Sequence, residues 1–384
     1  MIRQITNSAR DYAWGSTTLM TDCLGLTATG GPMAEVWFGT HPGSMTQVSG
    51  AGSLLDFRGG EPLSFLLKIL AADAPLSLQA HPDAAQAVAG FERENAAGIA
   101  IDSPTRNYRD DRHKPEMLVA LTPFVALGGF RQISEVMAVF DELADVASGA
   151  LLTSIDGWRG TLESGGIQQL FQQLIQARGG LTIETAALAE AALALVAVNP
   201  LHKEVAHLKL IAQLEREYPG DPGVIISLLC NLVELAPGQA VQINAGEIHA
   251  YVSGLGVEIM ASSDNVLRGG LTPKHIDIPE LTRVLRFESG GVGPYEAREL
   301  MAGLWEYPRQ CQDFVLYRVE VSGARVLADL KLSSAGILLC TAGEVAVSDS
   351  TGERLVLARG QAAYLADAKF FTFAGSGTGY LATS

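Results

Sequence analysis

The chain has 384 residues, 48% of them hydrophobic, and its 42 acidic residues outnumber 27 basic ones, for a net charge of −15. This balance argues against a nucleic-acid-binding surface, which normally needs a basic patch. No run approaches the roughly 20 apolar residues that span a bilayer, and the N-terminal stretch lacks the apolar segment of a signal peptide. Four widely spaced cysteines without a CxxC pair favour reduced thiols in a cytoplasmic protein. The length suggests two or three domains.

The first part of the chain predicts strands and turns. Between residues 11 and 60, short apolar runs alternate with Gly, Pro, Ser and Thr. The segment LSFLLKIL at 63–70 then predicts a buried strand that carries one charge, Lys68. A lysine in a buried strand is seldom left unpaired, so a functional role is favoured over a side chain that extends to solvent at the strand edge.

Two polar groups suited to metal binding follow on one predicted strand. In PLSLQAHP, at 75–82, side chains alternate between faces, so Ser77, Gln79 and His81 share one face. The Cα atoms of Gln79 and His81 would lie about 6.6 Å apart, and both side chains could reach one metal ion. The polar outer face of an ordinary strand has the same pattern, and this fragment alone favours that second interpretation.

A charged loop leads into the next predicted strand. The run YRDDRHKPEM at 108–117 continues directly into LVALTPFVAL. Charge runs are usually solvated loops. Here, however, Lys114 and Glu116 stand at the mouth of an apolar strand, where side chains can enter a barrel.

The pattern changes to helical spacing at Gln132. Apolar residues recur every three or four positions over 133–143 and 167–175, and 182–198 and 202–217 are two further predicted helices. The pair Gly179-Gly180 is expected to end the second of these helices. Residues 132–218 are therefore predicted to form a helical block inserted between two β-rich parts of the chain.

Five chemically useful side chains fall together in residues 244–275. They stand among glycines and short apolar runs and are His249, Glu258, Asp264, Arg268 and Lys274. We expect two short strands in it, at 249–252 and 257–260. Any one such residue is more often a solvated charge or a structural histidine, but five together favour a functional site.

The tail, from about residue 312, again predicts strands and turns, and it echoes an earlier segment. PGQAVQINAGEIHAY at 237–251 and RGQAAYLADAKFFTF at 359–373 match in apolar pattern and turn position. Their alignment puts Phe371 where the first copy has His249. This predicts a second β domain that lacks the metal-binding residue type.

The candidate metal ligands are Gln79, His81, Glu116 and His249. Imidazole nitrogen and carboxylate oxygen suit zinc. A glutamine carbonyl would also suit manganese or iron. From the residues alone, three other histidines compete with this set on equal terms: His41, His113 and His275.

Six segments, in their order and spacing, resemble the type I mannose-6-phosphate isomerases: YAWGS, LSLQAHPD, HKPEM, PGDPGV, GEIHAY and SDNVLRGGLTPKH. The resemblance covers residues 1 to about 290 by motif and the tail by architecture. It implies a mainly β fold with an α insert. A cupin (jelly-roll) catalytic domain of residues 1–131 and 219–300 would surround the helical insert 132–218, and residues 301–384 would form a jelly-roll-like β domain without metal.

The resemblance also implies the chemistry. The family interconverts mannose 6-phosphate and fructose 6-phosphate, using one zinc ion per chain, by proton transfer through an enediol(ate). It implies zinc binding by Gln79, His81, Glu116 and His249, with His113 not a ligand. It implies catalytic roles for Lys114, Glu258, Asp264 and Arg268, and substrate contacts from Trp14, Lys68, Ser77, Tyr251 and Lys274. A monomer with a small sugar phosphate as its partner is expected.

Two other classes of function share parts of this pattern. A cupin-fold binding or regulatory protein would keep the fold without turnover, and could lose its proton-transfer groups freely. A cupin metal oxygenase would share the metal ligands but would have no need for the cations Arg268 and Lys274. The presence of both the ligand set and these cations favours the isomerase.

Overall fold

The computed structural model describes residues 1–323 and 327–384. Strands make up most of its regular structure. They are β1 Ile2–Thr6, β2 Ala9–Arg10, β3 Glu35–Phe38, β4 Gln47–Val48, β5 Gly52–Ser53, β6 Phe65–Ala72, β7 Leu78–Ala80, β8 Glu116–Ala120, β9 Phe124–Phe130, β10 Cys230–Leu235, β11 Ala240–Ile243, β12 His249–Ala261, β13 Leu267–Gly270, β14 Arg298–Met301, β15 Leu304–Glu306, β16 Val315–Val321, β17 Leu327–Leu330, β18 Gly336–Asp349, β19 Arg354–Ala358, β20 Ala362–Leu365 and β21 Phe371–Thr383.

Helices cluster in the middle of the chain. They are α1 Leu19–Leu24, α2 Leu54–Phe57, α3 Ala84–Ala96, α4 Ile133–Val146, α5 Gly149–Gln176, α6 Thr182–Val198, α7 Val205–Glu217, α8 Gly223–Ile226 and α9 Ile278–Val284, with a 3₁₀ turn at Ser227–Leu229. Among the described residues, no helix is both long enough and apolar enough to cross a membrane.

The described strands form two antiparallel sheets. The first contains β2, β3 and β6 to β13, with β10, β9, β12, β6, β3 and β2 neighbouring one another in that order. The second contains β1, β4 and β5 together with all the strands from β14 to β21. Buried apolar residues from both sheets pack together in one cluster, in which Leu67 and Ile259 meet Leu339 and Tyr364. The N-terminal residues supply strands to both sheets, because β1 belongs to the second sheet and β2 to the first.

Four helices, α4 to α7, lie within residues 132–218, where the sequence predicts a helical block. It lies between β9 and β10, which pair with each other, so the chain leaves and re-enters the first sheet at one place. The part of α5 before residue 166 was not predicted, because glycine and serine interrupt its apolar pattern. The helix is broken at Gly166, whose φ of 68° is left-handed. It ends at Gln176, before the expected glycine pair.

One strand prediction was wrong in its extent. The two short strands expected at 249–252 and 257–260 are a single strand, β12, of 13 residues. An irregular register at Tyr251–Ser253 and a φ of 122° at Gly254 bend it without ending it. Its first half pairs with β7 and β9, and its second half with β6 and β8. This bent strand therefore connects the elements that carry the candidate site.

The tail forms strands, as the sequence predicts, and repeats the spacing of the earlier segment. The four-residue strand β11 precedes the 13-residue strand β12, and the four-residue strand β20 precedes the 13-residue strand β21 at the same distance. His249 and Phe371 are the first residues of the two long strands. All four cysteines are free, as expected, and Cys230 is buried.

Candidate active site

Three side chains that the sequence places far apart meet in the first sheet. His81 follows β7, while Glu116 and His249 begin β8 and β12. The Nε2 atom of His81 lies 3.3 Å from Oε1 of Glu116, and Nε2 of His249 lies 3.5 Å from Oε2. One ligand atom from each residue lies within 4.8 Å of the other two, and all three residues are buried. This is a His–Glu–His cluster of the kind that holds a metal ion.

The hydrogen bonds around the cluster leave its inner atoms free. Nδ1 of His81 bonds the main-chain oxygen of Asn265 at 2.8 Å, and Nδ1 of His249 bonds that of Glu247 at 3.1 Å. Because a carbonyl accepts from N–H, both rings then present an unprotonated Nε2. Those two Nε2 atoms and Oε2 of Glu116 are buried without a hydrogen-bond partner. Such uncompensated burial is costly unless a metal ion binds the three atoms, and nitrogen with carboxylate oxygen suits zinc.

Gln79 lies beside this cluster. It is in register with His249 on the neighbouring strand, and with Arg268 on its other side. Residues directly opposite in an antiparallel pair point to the same face of the sheet, so these three side chains share one face. Gln79 and Glu116 line the same cavity.

Charges around the cluster fix its protonation. The ammonium of Lys114 lies 2.9 Å from Oε1 of Glu116. Burial alone would raise the pKa of Glu116, but the charge of Lys114 holds it well below its usual range. Burial, with the charge of Lys114, lowers the pKa of His81 to about 4. Both groups are therefore in the ionisation state that metal ligands require.

A second group of buried charges lies next to the cluster. Lys68 is opposite Glu258 in the sheet, and its ammonium lies 2.9 Å from Glu258 and 3.5 Å from Glu35. The Lys68 ammonium also lies 5.0 Å from the ring centre of Trp37, whose Nε1 donates to Glu35. Burial raises the pKa of Glu258, and the charge of Lys68 opposes that rise only in part. A carboxyl whose pKa is raised suits proton transfer near neutral pH.

Tyr251 completes the inner wall. Its side chain is 1% exposed and its hydroxyl has no hydrogen-bond partner among the described residues. Burial, together with the charges of Glu258 and Glu116, raises its pKa well above the ordinary value. The hydroxyl therefore stays protonated and is available as a hydrogen-bond donor or acceptor for a bound molecule.

These groups line a cavity of about 490 Å³. Its walls include ten of the predicted site residues: Trp14, Lys68, Ser77, Gln79, Lys114, Glu116, Tyr251, Glu258, Arg268 and Lys274. An adjoining cavity of about 620 Å³ shares Lys68, Lys114, Arg268 and Lys274, and also contains Asp264. Eleven of the predicted site residues thus line two cavities that share part of their walls.

The outer end of these two cavities carries unpaired positive charge. Within the described parts of the chain, neither Arg268 nor Lys274 forms a salt bridge. Partial burial and the nearby charge of Arg109 lower the pKa of Arg268, and partial burial with the charges of Arg268 and Arg109 lowers that of Lys274. Three cations therefore lie close together, and none of them forms a salt bridge with a carboxylate among the described residues. Such a cluster suits a phosphate dianion.

The competing histidines lie elsewhere or bind other groups. His113 contacts Asp313 at 2.9 Å, away from the cluster. His41 contacts Asp264 at 3.2 Å, and this contact lowers the pKa of Asp264 although partial burial opposes it. His275 is exposed at the rim of the larger cavity.

Three residues of the site were not found from the sequence. Glu35 contacts Lys68 from the neighbouring strand. Arg109 lines the larger cavity and belongs to the charge run that resembles a solvated loop. Asn265 connects the segment of Arg109 to His81 of the metal cluster. The Asn265 carbonyl orients His81, while its side chain accepts from the main-chain N–H of Arg109. Arg109 lies four residues before the motif HKPEM, which begins at His113, and this position could have drawn attention to it. Nothing in the sequence pointed to Glu35.

Comparison with known proteins agrees with this geometry. A family model described as phosphomannose isomerase type I, catalytic domain, matches residues 2–133. The mannose-6-phosphate isomerase of Salmonella typhimurium is 36% identical, and the match covers 99% of this chain and 98% of that protein. The Escherichia coli enzyme is 35% identical with 95% of each chain covered, and the human enzyme is 30% identical with 90% and 88% covered.

Solved structures give the same result. A mannose 6-phosphate isomerase bound with zinc and yttrium superposes with a TM-score of 0.87 at 33% identity, and covers 100% of this chain and 99% of its own. A zinc-bound holo structure of a mannose 6-phosphate isomerase gives the same values. The metal that the His–Glu–His cluster suits is thus the metal present in these similar structures. Because these enzymes match the chain over nearly its full length at 30–36% identity, and the solved structures share its fold, the chain belongs to the type I mannose-6-phosphate isomerase family.

Proposed function

We propose that the chain interconverts D-mannose 6-phosphate and D-fructose 6-phosphate through an enediol(ate). The observation that supports this most directly is the shared cavity. A buried His–Glu–His cluster lies at one end and three unpaired cations lie at the other. An enzyme that acts on a sugar phosphate would use both the metal cluster and the cations, whereas a cupin oxygenase would use only the metal cluster. A binding protein without turnover is not favoured, because it would not need the buried proton-transfer groups.

His81, Glu116 and His249, with Gln79 as the fourth ligand, would hold one zinc ion. When bound, zinc supplies Lewis acidity that stabilises negative charge on the sugar oxygens. Lys114, 2.9 Å from Glu116, keeps that carboxylate ionised and adds a positive charge beside the reacting end. Tyr251 and Trp14 line the cavity and would orient the sugar ring.

The proton transfer is assigned to the buried acidic group. Isomerisation removes a proton from C2 of the aldose and returns one to C1 of the ketose, so one group must both accept and donate. Glu258, whose pKa is raised by burial, fits that requirement, and Lys68 holds its position. Lys114 and Asp264 are the other candidates for this step, and Asp264 is held by His41.

The phosphate is assigned to the outer end. Arg268 and Lys274 would bind the dianion with Ser77, and Arg109 would add a third charge. Arginine offers two parallel N–H donors that match phosphate oxygens. Binding energy from this remote group helps to fix the sugar against the metal end. A local basic cluster of this kind would also attract the substrate despite the net charge of −15.

We also propose the domain arrangement that accompanies this activity. Residues 1–131 and 219–300 would form a cupin-type catalytic domain, 132–218 a helical insert, and 301–384 a jelly-roll-like domain without metal. The repeat of strand lengths between β11–β12 and β20–β21 supports a common architecture for the two β domains. Phe371 at the position of His249 supports the absence of a second metal site.

The test is an isomerisation assay on the purified chain. Fructose 6-phosphate should form from mannose 6-phosphate, a chelator should abolish the activity, and added zinc should restore it. Metal analysis should give one zinc ion per chain. Tight binding of mannose 6-phosphate without turnover in the zinc-loaded protein would contradict the proposal, and a second stoichiometric ion within 301–384 would contradict the domain assignment.

A further inference from the structure

A pair of hydrogen bonds joins the helical block to the loop that carries Lys274. The guanidinium of Arg178, just beyond α5, donates to the main-chain oxygens of Thr272 at 2.6 Å and Lys274 at 3.2 Å. Thr272 and Pro273 line the 490 Å³ cavity. They also line a neighbouring cavity of about 450 Å³, to which Arg178 contributes. Arg178 therefore binds the backbone of this loop from the side opposite the candidate active site.

A second set of bonds comes from the turn after α7. The carboxylate of Asp221 accepts from the main-chain N–H of Leu271 at 2.8 Å and from that of Thr272 at 3.3 Å. Leu271 has a φ of 53°, in the left-handed region that residues other than glycine rarely adopt. Its side chain is 1% exposed and packs in the core around the helical block. Asp221 thus stabilises an unusual backbone conformation at the residue that follows β13.

The two segments approach each other closely. A Cβ atom on Gly223 would lie 2.7 Å from the side chain of Leu271, and one on Gly270 would lie 2.9 Å from the backbone of Gly223. The hydroxyl of Tyr218, in the same turn, donates to the main-chain oxygen of Pro75 at 2.8 Å, two residues before Ser77. The segment 218–223 therefore contacts both chain segments that lead to the proposed phosphate site.

We infer that Arg178 and Asp221 are positioning residues for substrate phosphate, acting through the backbone of residues 271–274. This inference rests on the proposed function, in which Arg268, Lys274 and Ser77 bind the phosphate. Neither positioning residue lines the cavity that holds the metal cluster. Each bonds main-chain atoms next to Lys274, whose side chain is exposed and has no salt bridge within the described residues. The helical block consequently contributes to phosphate recognition by keeping Lys274 beside Arg268.

The experiment compares Arg178→Ala with Arg159→Ala. Arg159 is in the same helical block but pairs with Asp141 and Asp156 at the surface, so its loss should leave the kinetics unchanged. Arg178→Ala should raise KM for mannose 6-phosphate about fivefold to tenfold, the scale of one ordinary hydrogen bond, because its effect on the phosphate is indirect, with kcat within about twofold. The Kd of inorganic phosphate, measured by calorimetry, should rise by the same factor. Arg178→Lys should recover part of the loss, because an ammonium can still donate to one carbonyl.

Unphosphorylated mannose separates a positioning role from a general structural one. Its kcat/KM should be the same in Arg178→Ala and the wild type. An unchanged Kd for phosphate, or equal losses for mannose and mannose 6-phosphate, would overturn the inference. If Arg178→Ala does not fold, Asp221→Asn carries the same comparison, since it weakens the bonds to Leu271 and Thr272. A wild-type chain without isomerase activity would refute the proposed function, whereas the phosphate calorimetry would still test the positioning role.

Discussion

Lys68 and Glu258 face each other on neighbouring strands and form a buried ion pair of 2.9 Å, with Glu35 on the other side of the lysine. The lysine thus compensates two carboxylates. Burial alone would lower its pKa, but those two carboxylates raise it, so it stays protonated. Removal of the lysine should therefore cost more than removal of either acid.

Lys68→Met should lower the free energy of unfolding by about 3–5 kcal/mol, because it leaves two like charges buried together. Glu258→Gln should cost less, since Glu35 still pairs with the lysine. The double variant should recover about 1–3 kcal/mol relative to Lys68→Met. Urea unfolding of the zinc-loaded protein measures all three values, with Lys209→Met on the exposed side of α7 as the control. Equal stability of Lys68→Met and Lys209→Met would refute the compensating role.

Variants of the cluster histidines, His81 and His249, should lose metal, whereas a variant of His113 should keep it. His81→Ala and His249→Ala each remove a proposed ligand, so zinc content and turnover should both fall to near zero. His113→Ala should keep its zinc, because that ring contacts Asp313 instead. Metal analysis after gel filtration gives the comparison. Loss of zinc in His113→Ala together with its retention in His249→Ala would overturn the ligand assignment.

The strands that carry the candidate metal ligands could be predicted from the sequence because their patterns are local. Gln79 and His81 share a strand face by alternation, and Glu116 starts a strand that its apolar successors make evident. Their meeting with His249 came from resemblance to a family, since the pairing of β7 and β8 with β12 is not encoded in any one segment. Alternation predicts which face a residue occupies, whereas strand partners depend on the whole fold.

Other features depended on long-range pairing and could not be predicted. The contact of Glu35 with Lys68 requires the register of β3 with β6. Ile2 pairs with Leu365, which places the N-terminal strand in the sheet of the tail, and no local pattern indicates such a partner. The continuity of β12 through two glycines was missed for a different reason. Glycine usually marks a turn, but here the neighbouring strands on both sides hold the chain extended.

A histidine outside the candidate site should control part of the acid stability. His207 is 1% exposed on α7 and its Nε2 bonds the main-chain oxygen of Ser227 at 2.9 Å. Burial, with the charge of Arg131, lowers its pKa from 6.5 to about 4. Below pH 6.5 the unfolded chain gains a proton that the folded chain does not, so the free energy of unfolding decreases as pH falls through this window. The loss should reach roughly 2–3 kcal/mol by pH 4.5.

The variant His207→Gln removes this titration. It should be less stable than the wild type at pH 7.5, because the packed ring is lost, but its stability should fall less between pH 6.5 and 4.5. Urea unfolding across that range measures the slope, with His275→Gln at an exposed position as the control. Parallel slopes for His207→Gln and the wild type would show that the buried imidazole does not contribute.

Replacement of Arg268 gives the most direct test of the proposed phosphate site. Arg268 is in register with Gln79, lines both cavities and has no salt bridge within the described residues. Loss of a charged hydrogen bond costs roughly 3 kcal/mol at most, so Arg268→Ala should lower kcat/KM for mannose 6-phosphate about 100-fold. Zinc content should stay unchanged, and Arg112→Ala, at an exposed position outside both cavities, should have no effect. Unphosphorylated mannose should be affected far less, because it lacks the group that Arg268 binds. Equal losses for the two sugars would instead place Arg268 at the reacting carbons.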